Sequence, residues 1–344
     1  MAKKKKFSTH MEKEIHEIPD VVLRIIQNYA PVFCERILPD VNELAKLFYE
    51  CDTVHIAACG TAYHAGLVIG KLMEEHCKIR TKVYIASEFN PLVKSNDIAI
   101  VVSQSGETAD TVSAMKRMKE YNIPIVALCN VENSTIAKTA DWVIPTRAGQ
   151  EVSVASTKAF IAQVLCGVIL VNNIFYSKYG RLLYTKSELL NIPLQATKLL
   201  SRKREIKQLA KLHRKTQRIF FLGSGMDAFL AYESALKVKE ITYNHCEGYA
   251  ALEFRHGTMA LVDDKTLCVG INTSQEKNDK LNNLMNDVKS RGSKIWNIDL
   301  FESGNNLSFV VGAIPSFFFA LYLSKEKGNN TDKPRNLTKA VTIE

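Results

Sequence analysis

The sequence predicts an α/β protein of two doubly wound parallel sheets in tandem, and three observations carry that prediction. Short apolar runs alternate with longer stretches of helical period, which is the pattern of strands laid parallel and joined by helices. Two of the apolar runs end in a hydroxyl- or glycine-rich turn just ahead of a helix start. The pattern also recurs. IAACGTAYHAG aligns with FFLGSGMDAFL, setting Gly60 against Gly223, and AIVVSQSGETADT aligns with CVGINTSQEKNDK, setting Ser103 against Asn272.

Taken in order, residues 1–10 form a basic tail with the run Lys3 to Lys6, expected to be disordered. Met11 to Ala30 and Pro31 to Cys51 carry helical periodicity and predict a helical hairpin broken at Pro31. Next come a strand (Val54 to Ala58), a turn (Cys59-Gly60-Thr61), a helix (Ala62 to Cys77) and strands at Lys82 to Ala86 and Ile98 to Val102. A helix from Thr111, a strand (Pro124 to Cys129), a short helix (Ser134 to Thr139), a strand (Asp141 to Ile144) and a long helix (Ser156 to Tyr176) close a first domain, 11–182. A Lys-rich helical connector, 183–216, leads to a second domain, 217–333, with strands at Arg218 to Leu222, Thr266 to Ile271 and Lys294 to Ile298 and a helix from Ala228 to Tyr243. Residues 334–344 read as an irregular tail that docks at an active site, since Pro334 and several hydrogen-bonding side chains set it apart from a fraying terminus.

Composition narrows the class. With 46% hydrophobic and 24% charged residues, the chain is an ordinary soluble globular protein. The formal charge of +9 comes without an aromatic-interleaved basic stripe, so nucleic acid is not the expected partner; a phosphorylated substrate also favours a positive field. Cys34, Cys51, Cys59, Cys77, Cys129, Cys166, Cys246 and Cys268 form no CxxC pair and read as reduced core residues of a cytoplasmic protein, with neither zinc nor disulfides expected. No signal peptide opens the chain. The longest apolar stretch, Ala159 to Phe175, is interrupted by Gln163, Asn172 and Asn173 and reads as a buried helix, not a membrane span.

The stretch from Ala99 to Thr111 is the strongest functional signal. A buried strand stops at Ser103, Gln104, Ser105, Gly106, Glu107 and Thr108, and a helix follows. Unpaired helix N–H groups, the positive dipole end and the hydroxyls of Ser103, Ser105 and Thr108 together make an anion site, with Gly106 allowing close backbone approach. No lysine follows as in a P-loop, so a sugar phosphate suits it better than a nucleoside triphosphate. Gly60 and Thr61 lie at the end of a second strand and can face the same pocket. The second copy lacks most of these hydroxyls, so only the first half is expected to hold phosphate.

The second half instead offers titratable groups. In AYESALKVKEITY, Glu233, Lys237 and Glu240 share one helix face at i, i+4 and i+7. A solvated, salt-bridged face is the commoner reason for such spacing, but Ala231, Ala235, Leu236 and Ile241 leave this helix little exposed polar surface. His256 follows in EFRHGTMALV.

From about Met11 to Glu344 the chain resembles the isomerase half of glucosamine-6-phosphate synthase, which consists of two flavodoxin-like sugar-isomerase (SIS) domains. MEKEIHEIP, ACGTAYHAG, IASEF, SQSGETADT, VASTKAF, the ALKxKE helix, the HG turn and KPRNLTKAVTIE carry the resemblance. It implies that Ser103, Gln104, Ser105 and Thr108 hold the phosphate of fructose 6-phosphate, and that Thr61, Val154 and Ser156 line the sugar. It implies that Lys339 forms an imine with the open ketose or helps to hold it. Glu240 then moves a proton between C1 and C2 beside Lys237, and His256, reaching in from the neighbouring subunit of a homodimer, assists ring opening. Glu233, Gly60 and Gly106 support these groups, and no metal or organic cofactor is required. A carboxylate can move a proton between adjacent carbons only where a fixed electrophile stabilises the enolamine, which is the part a lysine imine plays.

The sequence departs from the family pattern in four places. The family's full-length enzyme opens on a glutaminase domain with a nucleophilic Cys after Met1, whereas Met1 here is followed by Ala2-Lys3-Lys4. The expectation is a chain that uses ammonia, or a separate glutaminase chain, and does not hydrolyse glutamine itself. Ala62 stands where the family has Ser, and Thr258 and Leu252 stand where it has Pro and Gly. Between Arg291 and Ile314 the chain is shorter than the pattern, so a strand of the second sheet is either lost or rebuilt from Leu307 to Val311. Two other readings remain: a related SIS sugar-phosphate isomerase, deaminase or deglycase, and a non-catalytic sugar-phosphate-binding regulator.

Overall fold

The computed structural model describes residues 7–29, 39–274, 278–300 and 306–342; the Pro31 break and Cys34 lie outside them, and of 39–43 only the backbone is described. The chain runs α1 (His10–His16), α2 (Ile18–Tyr29), α3 (Pro39–Glu50), β1 (Thr53–Ala58), α4 (Gly60–Leu72, continued by a π-helical turn, Met73–Cys77), β2 (Arg80–Ile85), β3 (Ile98–Ser103) and α5 (Ala109–Glu120). Then come β4 (Ile125–Cys129), α6 (Thr135–Thr139), β5 (Trp142–Pro145), α7 (Lys158–Tyr179), α8 (Lys186–Ser201), α9 (Lys203–Leu212), β6 (Arg218–Gly223) and α10 (Met226–Thr242). The last elements are β7 (His245–Ala250), β8 (Thr266–Asn272), α11 (Asp279–Ser290), β9 (Lys294–Asp299) and α12 (Ile314–Glu326).

These elements form two compact units, and neither is one stretch of chain. One holds residues 20–150, 159–191 and the chain from Ala340; the other holds the residues up to Pro19, Glu151–Lys158 and Ile192–Lys339.

The first unit is built on a five-stranded parallel sheet in the order β2-β1-β3-β4-β5. Ile56 pairs with both Val83 and Ile100, and Leu128 pairs with Ile144. β1, β3 and β4 are buried throughout, which is why they read as continuous apolar runs in the sequence. The order reverses between β1 and β3, the place where doubly wound sheets open a crevice beyond their carboxyl ends.

The second unit repeats the order as β7-β6-β8-β9, four strands among the described residues, all parallel. Among the described residues the fifth strand has no counterpart, and it is not rebuilt from Leu307–Val311: Ser308–Val310 is a 3-10 turn whose buried residues feed into α12. The registers equate Asn272 with Ser103. They equate Gly60 (φ +55°) with Gly225 (φ +60°) and not with Gly223, each lying two residues past its strand. Gly223 is needed for another reason: a Cβ there would lie 2.2 Å from the Asp227 carbonyl oxygen.

Two elements of this unit leave no clear periodic trace. β7 is a half-exposed edge strand of sequence HCEGYA, without an apolar run. α12 is apolar nearly all round and buried from Ile314 to Ser324, so it has no amphipathic stripe. The expectation of core cysteines is met by five of the seven described thiols, all free; Cys51 and Cys59 are partly exposed. The helical stretches Lys158–Tyr179 and Ser308–Glu326 are long and apolar enough to cross a membrane, and 94% of the apolar window of each is buried inside the protein, as in core helices.

At the switch point of the second sheet, Asp227 in the first turn of α10 is buried. Its carboxylate accepts hydrogen bonds from the Thr273 N–H (3.0 Å) and hydroxyl (2.6 Å). Burial pushes its pKa up to about 6; the two Thr273 bonds only partly offset that rise, and the charge of Asp299 adds a smaller push. The folded-state value lies above the unfolded one, so the native state holds this proton more tightly. The contribution is favourable below the unfolded value, about 4, and is lost as pH rises to about 6, at most roughly 3 kcal/mol. Asp227→Asn, which does not titrate and keeps one acceptor oxygen for the Thr273 N–H while its amide N–H can donate to the Thr273 hydroxyl, is expected to remove that fall in stability; urea unfolding at several pH values between 4 and 7 measures it.

Candidate active site

In the first unit, β3 runs directly into the SQSGET turn. The Ser103 hydroxyl is buried and accepts from the Gly106 N–H at 2.9 Å, which ties the turn into a loop. The Ser105 hydroxyl accepts from the Glu107 N–H at 3.2 Å and lies 3.5 Å from the Thr108 hydroxyl. Thr108 occupies the N-cap of α5 without a side-chain cap bond, so helix N–H groups and half-buried hydroxyls face outward together. Ala109 at the first helical position donates to the Val341 carbonyl at 3.0 Å.

An acid within an anion site needs explaining, and Glu107 is anchored elsewhere. Its carboxylate accepts from the Thr135 N–H (2.7 Å) and hydroxyl (2.8 Å) at the start of α6; those bonds hold its pKa down. Gly106 has φ +67°, and a Cβ there would lie 2.0 Å from the Ser134 hydroxyl oxygen. Only glycine meets both conditions. Gly60 and Thr61 follow β1, the neighbour of β3, and Thr111 in α5 donates to the Cys59 thiol beside them at 3.8 Å. Burial raises the Cys59 and Cys129 thiols, so neither is a ready thiolate.

In the second unit the expected titratable helix is α10, and it is no solvated face. Glu233 and Lys237 are fully buried, and Ala231, Ala235, Val238 and Ile241 around them are buried too. The Lys237 ammonium lies 3.4 Å from Glu233 and 2.8 Å from Glu240. Burial works to discharge Lys237, but Glu233, Glu240 and Glu151 outweigh it and its pKa is raised. Glu240 is raised as well: burial dominates, Glu233 adds to it, and Lys237 and Lys339 oppose it. Glu240, 18% exposed, opens onto a pocket of about 460 Å³ whose other lining includes Lys239, His245 and Arg335.

Lys339 lies in the irregular tail. Its amine donates to Glu151 at 2.6 Å and to the Ser156 hydroxyl at 3.2 Å. The Glu151 carboxylate is buried and also accepts from the Thr157 N–H at 2.8 Å. Two further contacts hold the tail in the second unit: the Arg335 guanidinium lies 4.1 Å from the centre of the Tyr243 ring, and the Val154 N–H donates to the Asp332 carbonyl. Lys237, Glu240, Lys339 and Ser156 therefore belong to one unit with Glu151, as does half-buried Val154. His256 is exposed on a turn and has no hydrogen bond from its ring to Glu240 or Lys339. Glu151 was not singled out in the sequence, because a single acid in an irregular segment has no periodicity; its place in the same short stretch as Ser156 was the available signal.

The SIS-domain family profile matches residues 47–172 and 211–306. The chain belongs to the SIS-domain family. It is 36% identical over its whole length to the isomerising glutamine–fructose-6-phosphate aminotransferase of Caldanaerobacter subterraneus subsp. tengcongensis, and 37% identical to that of Fusobacterium nucleatum subsp. nucleatum. The chain spans 60% of the length of each. Among solved structures, the C-terminal domain of glucosamine-fructose-6-phosphate aminotransferase from Francisella tularensis superposes with a TM-score of 0.88, at 30% identity, covering 96% of this chain and all of that one. The two doubly wound sheets read from the sequence are thus those of a tandem SIS protein.

Gly106→Ala forces a side chain into the left-handed region and against Ser134. It is expected to lower stability by about 1–3 kcal/mol, as read by thermal melting.

Proposed function

We propose that this chain is a cytoplasmic homodimer that converts fructose 6-phosphate and ammonia into glucosamine 6-phosphate and water. The observation that carries the reading is Glu240, a carboxyl of raised proton affinity 2.8 Å from a buried ammonium and open to a pocket. The names of the aminotransferases to which the chain is similar support the same substrate. A regulator that only bound the sugar would have no use for a buried acid–base set, which weighs against that alternative.

In this reading Ser103, Gln104, Ser105 and Thr108 take the phosphate, while Thr61, Val154 and Ser156 line the sugar. His256 assists ring opening for the neighbouring subunit. The Lys339 amine attacks C2 of the open ketose and water leaves, giving an imine; ammonia then displaces the lysine and leaves its own imine at C2. Glu240 takes a proton from C1, and the electron pair moves through an enolamine. The protonated Glu240 returns the proton to C2, so that C1 becomes the aldehyde. Lys237, held as an ammonium between Glu233 and Glu240, favours the ionised form of Glu240 that the first proton transfer requires.

Because Glu240 must begin ionised, kcat/KM is expected to fall on the acid side at a pH above the usual carboxylate range. Lys339→Ala and Glu240→Gln are each expected to lower turnover of fructose 6-phosphate with ammonium by about 10²-fold or more while leaving sugar-phosphate binding within a few-fold. Product assay by mass, beside isothermal titration with fructose 6-phosphate, checks both. Undiminished turnover in either variant would remove that residue from the reaction.

A further inference from the structure

Helix α1 takes no part in the chemistry above, yet charged contacts hold it along its whole length. Asp332 accepts from the His10 N–H (2.8 Å) and the Met11 N–H (2.9 Å), Glu12 pairs with Lys325 (2.9 Å), and Glu17 pairs with Lys158 (2.7 Å). Between them Glu14 is only 3% exposed. One of its oxygens accepts from the backbone N–H groups of both Val152 and Ser153; the other has no hydrogen-bond partner among the described residues. Packing alone would not call for an acid here, since an apolar side chain fills such a place without the cost of burying a polar group.

The stretch that Glu14 grips is Glu151–Lys158. It has no regular secondary structure before α7, so no ladder of backbone bonds fixes its shape. It carries Glu151 and Ser156, the two groups that bind the Lys339 amine. We propose that Glu14 is a positioning residue: by holding Val152 and Ser153 from below, it sets Glu151 and Ser156 and through them the place of the Lys339 amine. The catalytic consequence rests on the part assigned to Lys339 above; the positioning itself does not.

Glu14 does this through a single acceptor oxygen. Burial raises its pKa and the charge of Glu151 adds to the rise, against the two backbone bonds and the more distant Lys339. A carboxyl that accepts both bonds through one oxygen is closely matched in shape by glutamine, whose amide oxygen can accept them in the same way. The device therefore needs the acceptor and its reach, not the charge.

Glu14→Gln and Glu14→Leu separate these possibilities. The rate at which Lys339 reacts with a small acylating reagent, located by peptide mass spectrometry without substrate, is expected to rise about five-fold or more in Glu14→Leu as the amine is released from its partners. In the same variant kcat with fructose 6-phosphate and ammonium is expected to fall at least about ten-fold with KM nearly unchanged. Glu14→Gln is expected to match the parent in both. Should Glu14→Leu not fold, Glu14→Asp, whose shorter arm cannot hold both N–H groups, is expected to show a smaller rise in acylation. Equal acylation of Lys339 in the parent, Glu14→Leu and Glu14→Asp overturns the proposal, as does a Glu14→Gln variant as impaired as Glu14→Leu. If the parent turns over no fructose 6-phosphate, the assigned reaction fails, and the acylation rates still decide on Glu14.

Discussion

The Lys237 ammonium, sealed in the protein between two carboxylates, is the constraint on which the second unit depends. A charge removed from water is tolerable only when paired at close range, and removing one partner of such a pair leaves the other stranded at a cost of several kcal/mol. Helix α10 must therefore present Glu233, Lys237 and Glu240 on one face while its remaining faces are packed against β6, β7 and α12. The charges nearby are unequal. Four carboxyl groups, Glu14, Glu151, Glu233 and Glu240, act on two ammonium groups, Lys237 and Lys339. Burial is the main reason that Glu14 and Glu240 bind protons more tightly than a free glutamate does, and the neighbouring acids, Glu151 for the first and Glu233 for the second, add to it. A carboxyl poised to exchange a proton thus follows from burial more than from any one neighbour.

The two sheets solve the same switch-point problem in opposite ways. In the first, Ser103, Ser105 and Thr108 stand around a helix start without a side-chain cap, whose first N–H goes to the Val341 carbonyl. In the second, Asn272 stands in the place of Ser103, and Asp227 lays its own carboxylate on Thr273. An anion supplied by the chain repels one supplied by a ligand. The two turns thus differ in charge and in hydroxyl content, although the strand orders and registers around them correspond.

Most of the fold was legible in the sequence because its core strands are buried on both faces. Runs such as Ile98–Val102 and Arg218–Leu222 cannot be anything else once they alternate with helices of sufficient length. What escaped was what lacks a period: β7, an edge strand rich in polar residues and glycine, and α12, apolar nearly all round. The SQSGET turn and the Glu233-Lys237-Glu240 face were legible because turn chemistry and helical spacing are local. Glu151 and Glu14 were not, because each matters through a residue far away in sequence: Lys339 for the first, the Val152–Ser153 backbone for the second. Spacing within a segment reports a face of that segment; it is silent on what the face will meet.

That limit bears on how an irregular tail can hold a reactive amine at all. A segment without helix or strand has to be fixed by side chains, each of which costs conformational entropy to immobilise. Here the fixing groups are mostly charged and mostly borrowed. Asp332 caps α1 through His10 and Met11, its carbonyl receives the Val154 N–H, and the Tyr243 hydroxyl accepts from the Arg335 N–H beneath the stacked guanidinium. Every one of these bonds ties the tail either to α1, to Glu151–Lys158 or to the end of α10. The three pieces brace one another, so loosening any of them loosens the amine, and the precision of Lys339 belongs to their mutual fit rather than to the tail that carries it.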